Sequence, residues 1–408
     1  MKRLRLFALP FALLAAPLAA EDALPDAASV ATALDNHPSV TAARARADAA
    51  RAEARALAKG PHEVLFSGSY VNRNVRSEGA YDEFDTQLTR AVRLPGKARL
   101  DRAIGRYGVE AADNMAEDAK HQAALKLAEG WWDWVGAGAQ AAIDAQAVDN
   151  YRRALAAVQR RIELHDAALL EADQAAAALA AAEVLAAQSS GRAQVARSRL
   201  AAQFPSLALP QEAPVIPGPE MPAESLEFFR GRALANSHEI AAAEAIAQQR
   251  EAMAERARKD RIADPTFGVR LFSERGGAER GAGILFSIPL GGGQRGALAD
   301  RAGSEATAAR AEATRARFDM QEIAAGDVAE ARFRLAAWQR ARAALDSQVA
   351  ALTRLRRGYD LGEIDLSDLL FGERMVHDAF REEALARAEA HRALTKLRID
   401  SHELWLAD

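Results

Sequence analysis

The feature that most constrains this chain of 408 residues is an internal duplication. Both halves must satisfy one architecture, so each reads the other. Leu34-Asp-Asn36-His-Pro38-Ser-Val40 resembles Leu234-Ala-Asn236-Ser-His238-Glu-Ile240. Each segment opens an alanine-rich helical pattern, with Asn36 and Asn236 expected as N-caps. The first helix is expected to run to Lys59, before Gly60-Pro61, and the second to Ile262, before Asp264-Pro265. Proline lacks an amide donor and keeps its predecessor out of the helical region, which gives both stops a mechanism.

Period-two stretches follow each helix. Residues 64–71 and 84–92 flank a polar loop at 72–83, and residues 267–273 and 282–288 flank another at 274–281. These predict two β-hairpins, over 63–93 and 266–289. Alternation within the strands is imperfect. Arg73, Arg76, Arg275 and Arg280 fall in or beside the loops. Both hairpins end at a proline followed by glycine and a basic residue: Pro95-Gly96-Lys97 in one half, Pro289-Leu290-Gly291-Gly292-Gly293-Gln294-Arg295 in the other. A very long helical pattern then begins, reaching Leu164 in the first half and Leu361 in the second. At about 1.5 Å per residue each helix is roughly 90–100 Å long. Trp132, Val135, Ala139, Ile143, Ala147, Tyr151, Leu155, Val158 and Ile162 keep steps of three and four, as do Leu335, Trp338, Ala341, Leu345, Val349, Leu352, Leu355 and Tyr359. Such steps mark a coiled-coil-like seam.

Each long helix is expected to turn and return. The first turn is at Leu164-His165-Asp166-Ala167, with a return helix ending near Phe204-Pro205. The second is at Arg357-Gly358-Tyr359-Asp360-Leu361-Gly362-Glu363-Ile364-Asp365-Leu366-Ser367-Asp368, with its return ending near Trp405. This second turn holds the densest acidic cluster of its half. It is either a solvated helix–turn–helix corner or a hairpin tip whose carboxylates face a partner or a pore. Asp166–Glu171 holds the place that Glu363–Asp368 holds in the second half. Six prolines between Pro205 and Pro222 make an extended linker between the halves.

The expected organisation is a leader at 1–20, a first repeat at 21–204 with its helical hairpin at 96–204, a linker at 205–225, and a second repeat at 226–408 with its helical hairpin at 293–405. The leader has a basic start (Lys2, Arg3, Arg5), a short apolar run from Leu6 to Leu14, and small residues up to Ala19-Ala20. That is the pattern of a secretory signal peptide cut after Ala20. Beyond it no stretch approaches the ~18 uncharged apolar residues of a membrane helix. With no cysteine, disulfides, thiolate metal sites and cysteine nucleophiles are excluded. A net charge of −4 gives no sign of a nucleic-acid partner. Four strands cannot close a sheet, and lipid penalises open edges. Export together with membrane strands points to an outer membrane and to several chains sharing one barrel.

These features resemble the TolC-like outer-membrane efflux proteins, the exit ducts of tripartite pumps and of type I secretion. The resemblance rests on the duplicated order of elements, the breaks at Pro95–Lys97 and Pro289–Gly293, and Tyr359-x-x-Gly362-x-Ile364-x-x-x-Asp368-Leu369-Leu370. It implies a mainly α fold with membrane β. Duplicated long helical hairpins form a periplasmic α-barrel, and two β-hairpins per chain complete a twelve-stranded β-barrel in a homotrimer. It also implies an outer-membrane location with a large periplasmic portion, contact with outer-membrane lipid, a periplasmic adaptor protein, and an inner-membrane pump of RND or ABC type. Aperture or gate residues are then Asp368, Asp365, Glu363, Tyr359 and Glu171. Adaptor contacts are Gly362, Leu361, His165 and Asp166, and the strand-to-helix breaks use Pro95, Gly96, Pro289, Gly291 and Gly292. Two departures stand out: Phe371 occupies a place where some members carry a second aspartate, and His165 stands where glycine is common.

No cofactor, metal or catalytic residue is expected. The eight histidines are dispersed, with no pair at helical ligand spacing. Gly291-Gly292-Gly293 lacks the Lys-Ser/Thr of a phosphate loop. Trp131-Trp132-x-Trp134 is expected in helix packing rather than in a membrane belt. The competing functions are a soluble periplasmic coiled-coil scaffold or adaptor and, less favoured because motifs are absent, a periplasmic enzyme.

Overall fold

The computed structural model describes residues 23–406. The leader and its cut after Ala20 lie outside the described residues. Contacts divide the chain into two compact units, each drawing on both halves of the sequence. One comprises residues 38–120 and 237–322, the other 23–37, 121–236 and 323–406. Neither sequence repeat is a compact body by itself.

The first unit begins with α2 (Pro38–Lys59) and α6 (His238–Lys259). In the second unit the short α1 (Ala27–Asp35) and α5 (Leu226–Ala235) precede them in sequence. Neither short helix was expected, and both overturn the N-cap assignment. Asn36 and Asn236 are C-caps of α1 and α5, donating their backbone N–H groups back to Thr32 and Arg232. The true caps are Asp26, which accepts from Ser29 N–H at 3.0 Å, Ser225, which accepts from Phe228 N–H, and Ser237, which accepts from Ile240 N–H. Pro38 opens α2, where a missing amide costs nothing. α2 ends at Lys59 as expected, and Arg93 donates to the carbonyls of Leu57, Ala58 and Lys59, which have no helical partner. α6 ends at Lys259, short of Ile262, because the chain turns through Asp260 and Arg261.

Four strands, β1 (Leu65–Val75), β2 (Gly79–Ala91), β3 (Thr266–Glu274) and β4 (Glu279–Ser287), form one antiparallel sheet in the order β1-β2-β3-β4. The loop expected at 72–83 is mostly strand. Polar cross-strand partners carry the ladder there: Tyr70 and Asn72 both donate to Asp82, and Arg73 pairs with Glu83 at 2.6 Å. Register resolves the imperfect alternation. Phe66 faces Leu88, Tyr70 faces Phe84, Leu88 faces Val269, Val269 faces Ile284, and Phe267 faces Phe286. All are exposed, Ile284 at 86%. One face of the sheet is therefore a continuous apolar band. The residues between them lie on the other face, where Ser67 pairs with Gln87 in register and Arg270 binds Asp85. β1 and β4 are open edges.

After the sheet strands come the long helices α3 (Lys97–Glu163) and α7 (Gly293–Leu361). Gly96 and Gly291 both adopt positive φ, 87° and 91°, which lets the strand exits turn sharply before a helix. The first break is heavily anchored. Lys97, 1% exposed, donates to Asp264 at 2.7 Å and to the Ile262 carbonyl at 2.8 Å, and pairs with Asp260 at 2.9 Å. His62 and the Leu94 N–H also meet Asp264. Burial pushes the Asp264 carboxyl up, but Lys97, His62 and Leu94 outweigh it and hold it down at about 2. The second break is bare. Leu290 is 92% exposed, and Arg295 binds the carbonyls of Gly291 and Arg261.

In the other unit α3 and α7 continue and return as α4 (Leu169–Gln203) and α8 (Leu366–Asp400). α8 stops before the expected Trp405. His402 takes φ 62°, and Glu403 N–H closes onto the Arg398 carbonyl. The seam holds at Trp132, Val135, Ala147, Tyr151 and Val158 and at Leu335, Leu345 and Leu352, all buried. Val349 is exposed and lies off it. Trp131, Trp132 and Trp134 are buried in helix packing, with Trp132 donating to Thr395 at 2.9 Å. Asp144, fully buried, accepts at both carboxylate oxygens from Arg381 Nη1, 2.9 Å each, and meets His377 at 2.8 Å, fixing α3 against α8. The linker contains no helix or strand, yet it is strapped down. Leu207 and Ile216 are buried, and Arg387 and His391 donate to the carbonyls of Ile216 and Pro217. No described helix is long and apolar enough to cross a membrane.

Candidate functional site: the two hairpin tips

Both helical turns close with the same backbone device. In the second tip Gly362 N–H bonds Tyr359 O at 3.0 Å and Glu363 N–H bonds Gly358 O at 2.9 Å. In the first, His165 N–H bonds Ile162 O at 2.9 Å and Asp166 N–H bonds Arg161 O at 2.8 Å. This pair of bonds consumes carbonyls the helix end leaves free and needs a left-handed residue between them. Gly362 supplies it at φ 76° and His165 at φ 58°. The glycine place in the first tip is thus filled by histidine, at a cost of about 1 kcal/mol for a side chain in that region.

The return helices start differently. Asp365 caps α8, its carboxylate accepting from Asp368 N–H at 3.0 Å. Ala168 stands at the same place before α4 and has no side-chain acceptor. There Glu171 reaches back to the Ala168 N–H at 3.3 Å. Asp368 and Glu171 both occupy the third helical position, where a carboxylate also meets the positive end of the helix dipole. Asp368 and Glu363 are exposed and form no ion pair among the described residues.

Arg161 joins the two tips. It donates to Glu171 at 3.2 Å, to the Asp166 carbonyl at 2.8 Å, and to the Tyr359 hydroxyl, with its guanidinium 5.7 Å from the Tyr359 ring centre. Tyr359 is half-buried against Val158, Ala175 and Leu366. Burial raises its pKa above the usual phenol value and outweighs Arg161, which opposes the rise. For Arg161 itself burial acts downward, and Tyr359, Glu171 and Asp166 outweigh it, leaving its pKa raised. The cluster is a polar clasp over a small apolar knot.

The expected tip residues therefore separate. Tyr359 and Glu171 come together through Arg161. Asp365 serves as a cap. Asp368, Glu363, Leu361, Gly362, His165 and Asp166 lie at the exposed surface of the turns. Leu164, Leu169 and Leu361 add apolar surface there, and Phe371 is exposed one turn beyond Asp368. Sequence reasoning missed Arg161. Its only local signal is a basic residue in the last turn of α3 with Asp166 and Glu171 downstream; its partner Tyr359 is far away in sequence. Among the described residues no group of three or more His, Asp or Glu side chains is arranged to hold a metal ion.

No protein-family model matches the sequence, and no curated protein matches it. Solved structures do resemble the fold. The outer membrane protein VceC of Vibrio cholerae aligns with a TM-score of 0.76 at 17% identity, covering 92% of this chain and 95% of that one. The open state of the Neisseria gonorrhoeae MtrE outer membrane channel aligns at 0.73 and 17% identity over 93% and 89% of the two chains. The Campylobacter jejuni CmeC outer membrane channel aligns at 0.71 and 15% identity over 93% and 86%. The chain therefore has the TolC-like outer-membrane channel fold.

Proposed function

We propose that this chain is an outer-membrane exit channel, conducting substrate passively from periplasm to outside as part of a tripartite efflux or type I secretion assembly, and not an enzyme. The observation that carries the proposal is the sheet: one face is an exposed apolar band, the other mixes the polar Ser67, Gln87, Asp85 and Arg270 with Leu65 and Val71, and both edges are open. In water such a surface is a liability; in lipid it is one third of a closed barrel. Three copies supply twelve strands. Fold likeness to named outer membrane channels supports the same conclusion. A periplasmic adaptor and an inner-membrane pump of RND or ABC type complete the assembly.

Gating in this proposal belongs to the tips. Asp368 lines the periplasmic aperture, with Asp365, Glu363, Tyr359 and Glu171 at or beside it. The adaptor meets Gly362, Leu361, His165 and Asp166. The Arg161 clasp holds the two hairpins of one chain together while the aperture is closed, and opening repacks them. A ring of Asp368 carboxylates favours cations.

The test is fractionation followed by bilayer recording. A heat-modifiable trimer in the outer-membrane fraction that conducts in planar bilayers is the expected result. A protein recovered without detergent and without conductance overturns the proposal. Asp368→Asn is expected to weaken block by multivalent cations; unchanged block removes Asp368 from the gate.

A further inference from the structure

Below the tips, α8 ends in a cluster of ionisable groups with no part in the channel proposal. Asp327 of α7 and Asp400 of α8 are both buried. Lys396 Nζ lies between them, 2.5 Å from Asp327 Oδ1 and 2.6 Å from Asp400 Oδ2. His121 of α3 meets Asp400 Oδ1 at 2.8 Å, and its ring centre lies 5.4 Å from that of His402, in the turn after α8. From α5, Arg232 is engaged by Glu403 at 3.0 Å. One atom is left over. Asp327 Oδ2 is buried and has no hydrogen-bond donor among the described residues, while its other oxygen shares the Lys396 Nζ with the Asp400 carboxylate.

Two buried carboxylates that share one lysine ammonium carry one negative charge more than that lysine can balance. An acceptor facing an acceptor is repulsive and desolvated, and a proton placed between them turns the contact into a hydrogen bond. We propose that the Asp327–Asp400 pair is a proton-operated clasp: with a proton on Asp327 it ties α7, α8 and α3 together, and loss of that proton loosens the C-terminal end of α8. The titration directions agree with the geometry. Burial, with Asp400 adding, pushes Asp327 up to about 7. Burial also acts upward on Asp400, but His121, Asp327 and Lys396 outweigh it and hold it below the usual carboxylate range. A folded-state pKa raised above the unfolded value of 3.8 means the contribution is complete below pH 3.8 and is lost as pH rises through about 7. The clasp is tight in acid and loose in mild alkali. It rests on the fold alone and stands or falls independently of the channel proposal.

The test is hydrogen exchange of residues 391–402 in the detergent-solubilised full chain, corrected for the intrinsic pH dependence of exchange. Wild type is expected to lose protection about tenfold between pH 6 and pH 8, the linkage of one proton at a pKa near 7. Asp327→Asn, which stays neutral and can donate to Asp400, is expected to be flat over that range. Wild-type protection that does not change, or an Asp327→Asn variant with the wild-type slope, overturns the clasp. Should the variant fail to fold, infrared difference spectroscopy of wild type decides. A protonated-carboxyl band that bleaches near neutral pH supports the clasp, and no such band overturns it.

Discussion

Lys97 and Gly293 open the two longest helices, and the corners behind them are built differently. The first corner buries a lysine among Asp264, Asp260 and the Ile262 carbonyl. The second leaves glycines and Leu290 in solvent. At the hairpin tips the order reverses. The second tip has glycine in the left-handed position and aspartate at the cap, whereas the first uses His165 and Ala168 and relies on Glu171 and Arg161. Each half is well determined at one end and improvised at the other. Duplication preserved backbone geometry, because helix ends and strand exits admit few conformations. It did not preserve the side chains, because different contacts can hold the same backbone.

The largest expected effect breaks the first contrast. Lys97→Met leaves Asp264 buried without its cation and should cost about 3–5 kcal/mol in chemical unfolding, whereas Arg295→Met at the bare corner should change stability by no more than about 0.5 kcal/mol. The same corner has a pH signature. Since Asp264 is held at about 2, its contribution is present above pH 3.8 and is lost as pH falls toward 2. Exchange protection around residues 259–264 should fall over that window and should lose the dependence in Asp264→Asn.

The tip clasp comes next. Arg161→Met removes a charge-assisted donor from Glu171 and Tyr359 and should raise local opening of both tips by about 1–3 kcal/mol. Because Tyr359→Phe removes only one acceptor, it should cost about 1 kcal/mol. A double-mutant cycle that finds the two effects additive shows that Arg161 and Tyr359 do not act together. Swapping the caps sharpens the tip comparison. Asp365→Ala should destabilise the start of α8 by about 1 kcal/mol, and Ala168→Asp should stabilise the start of α4 by a similar amount. The smallest effect concerns the left-handed residue. His165→Gly should stabilise the first tip by up to about 1 kcal/mol, and Gly362→Ala should destabilise the second by about as much. Equal responses at both tips would remove the asymmetry.

Much of the architecture was legible because its signals are local. Proline and glycine stop helices within a residue or two, so Gly60-Pro61 marked the end of α2 and Gly362 the turn after α7. The long helices announced themselves through three- and four-residue steps sustained over many turns. Short helices gave too few steps to be seen, so α1 and α5 were missed and their terminal asparagines were assigned to the wrong helices. Strand ends were misplaced for a related reason. Asn72, Arg73 and Asp82 look like loop residues until pairing brings them side by side.

By itself the sequence determined the duplicated order of elements, the lengths of the long helices and the places where the chain must turn. Tertiary structure alone decided which residues meet across that order. It paired Arg161 with Tyr359, Lys97 with Asp264 and Asp327 with Lys396, and it set the sheet register that sorts Phe66, Leu88, Val269 and Ile284 onto one face. Backbone conformation is governed by neighbours a few residues apart, so it can be read along the chain. The clasp and the apolar band join residues far apart in sequence, and their partners are set only when the packed helices and the ladder fix the register.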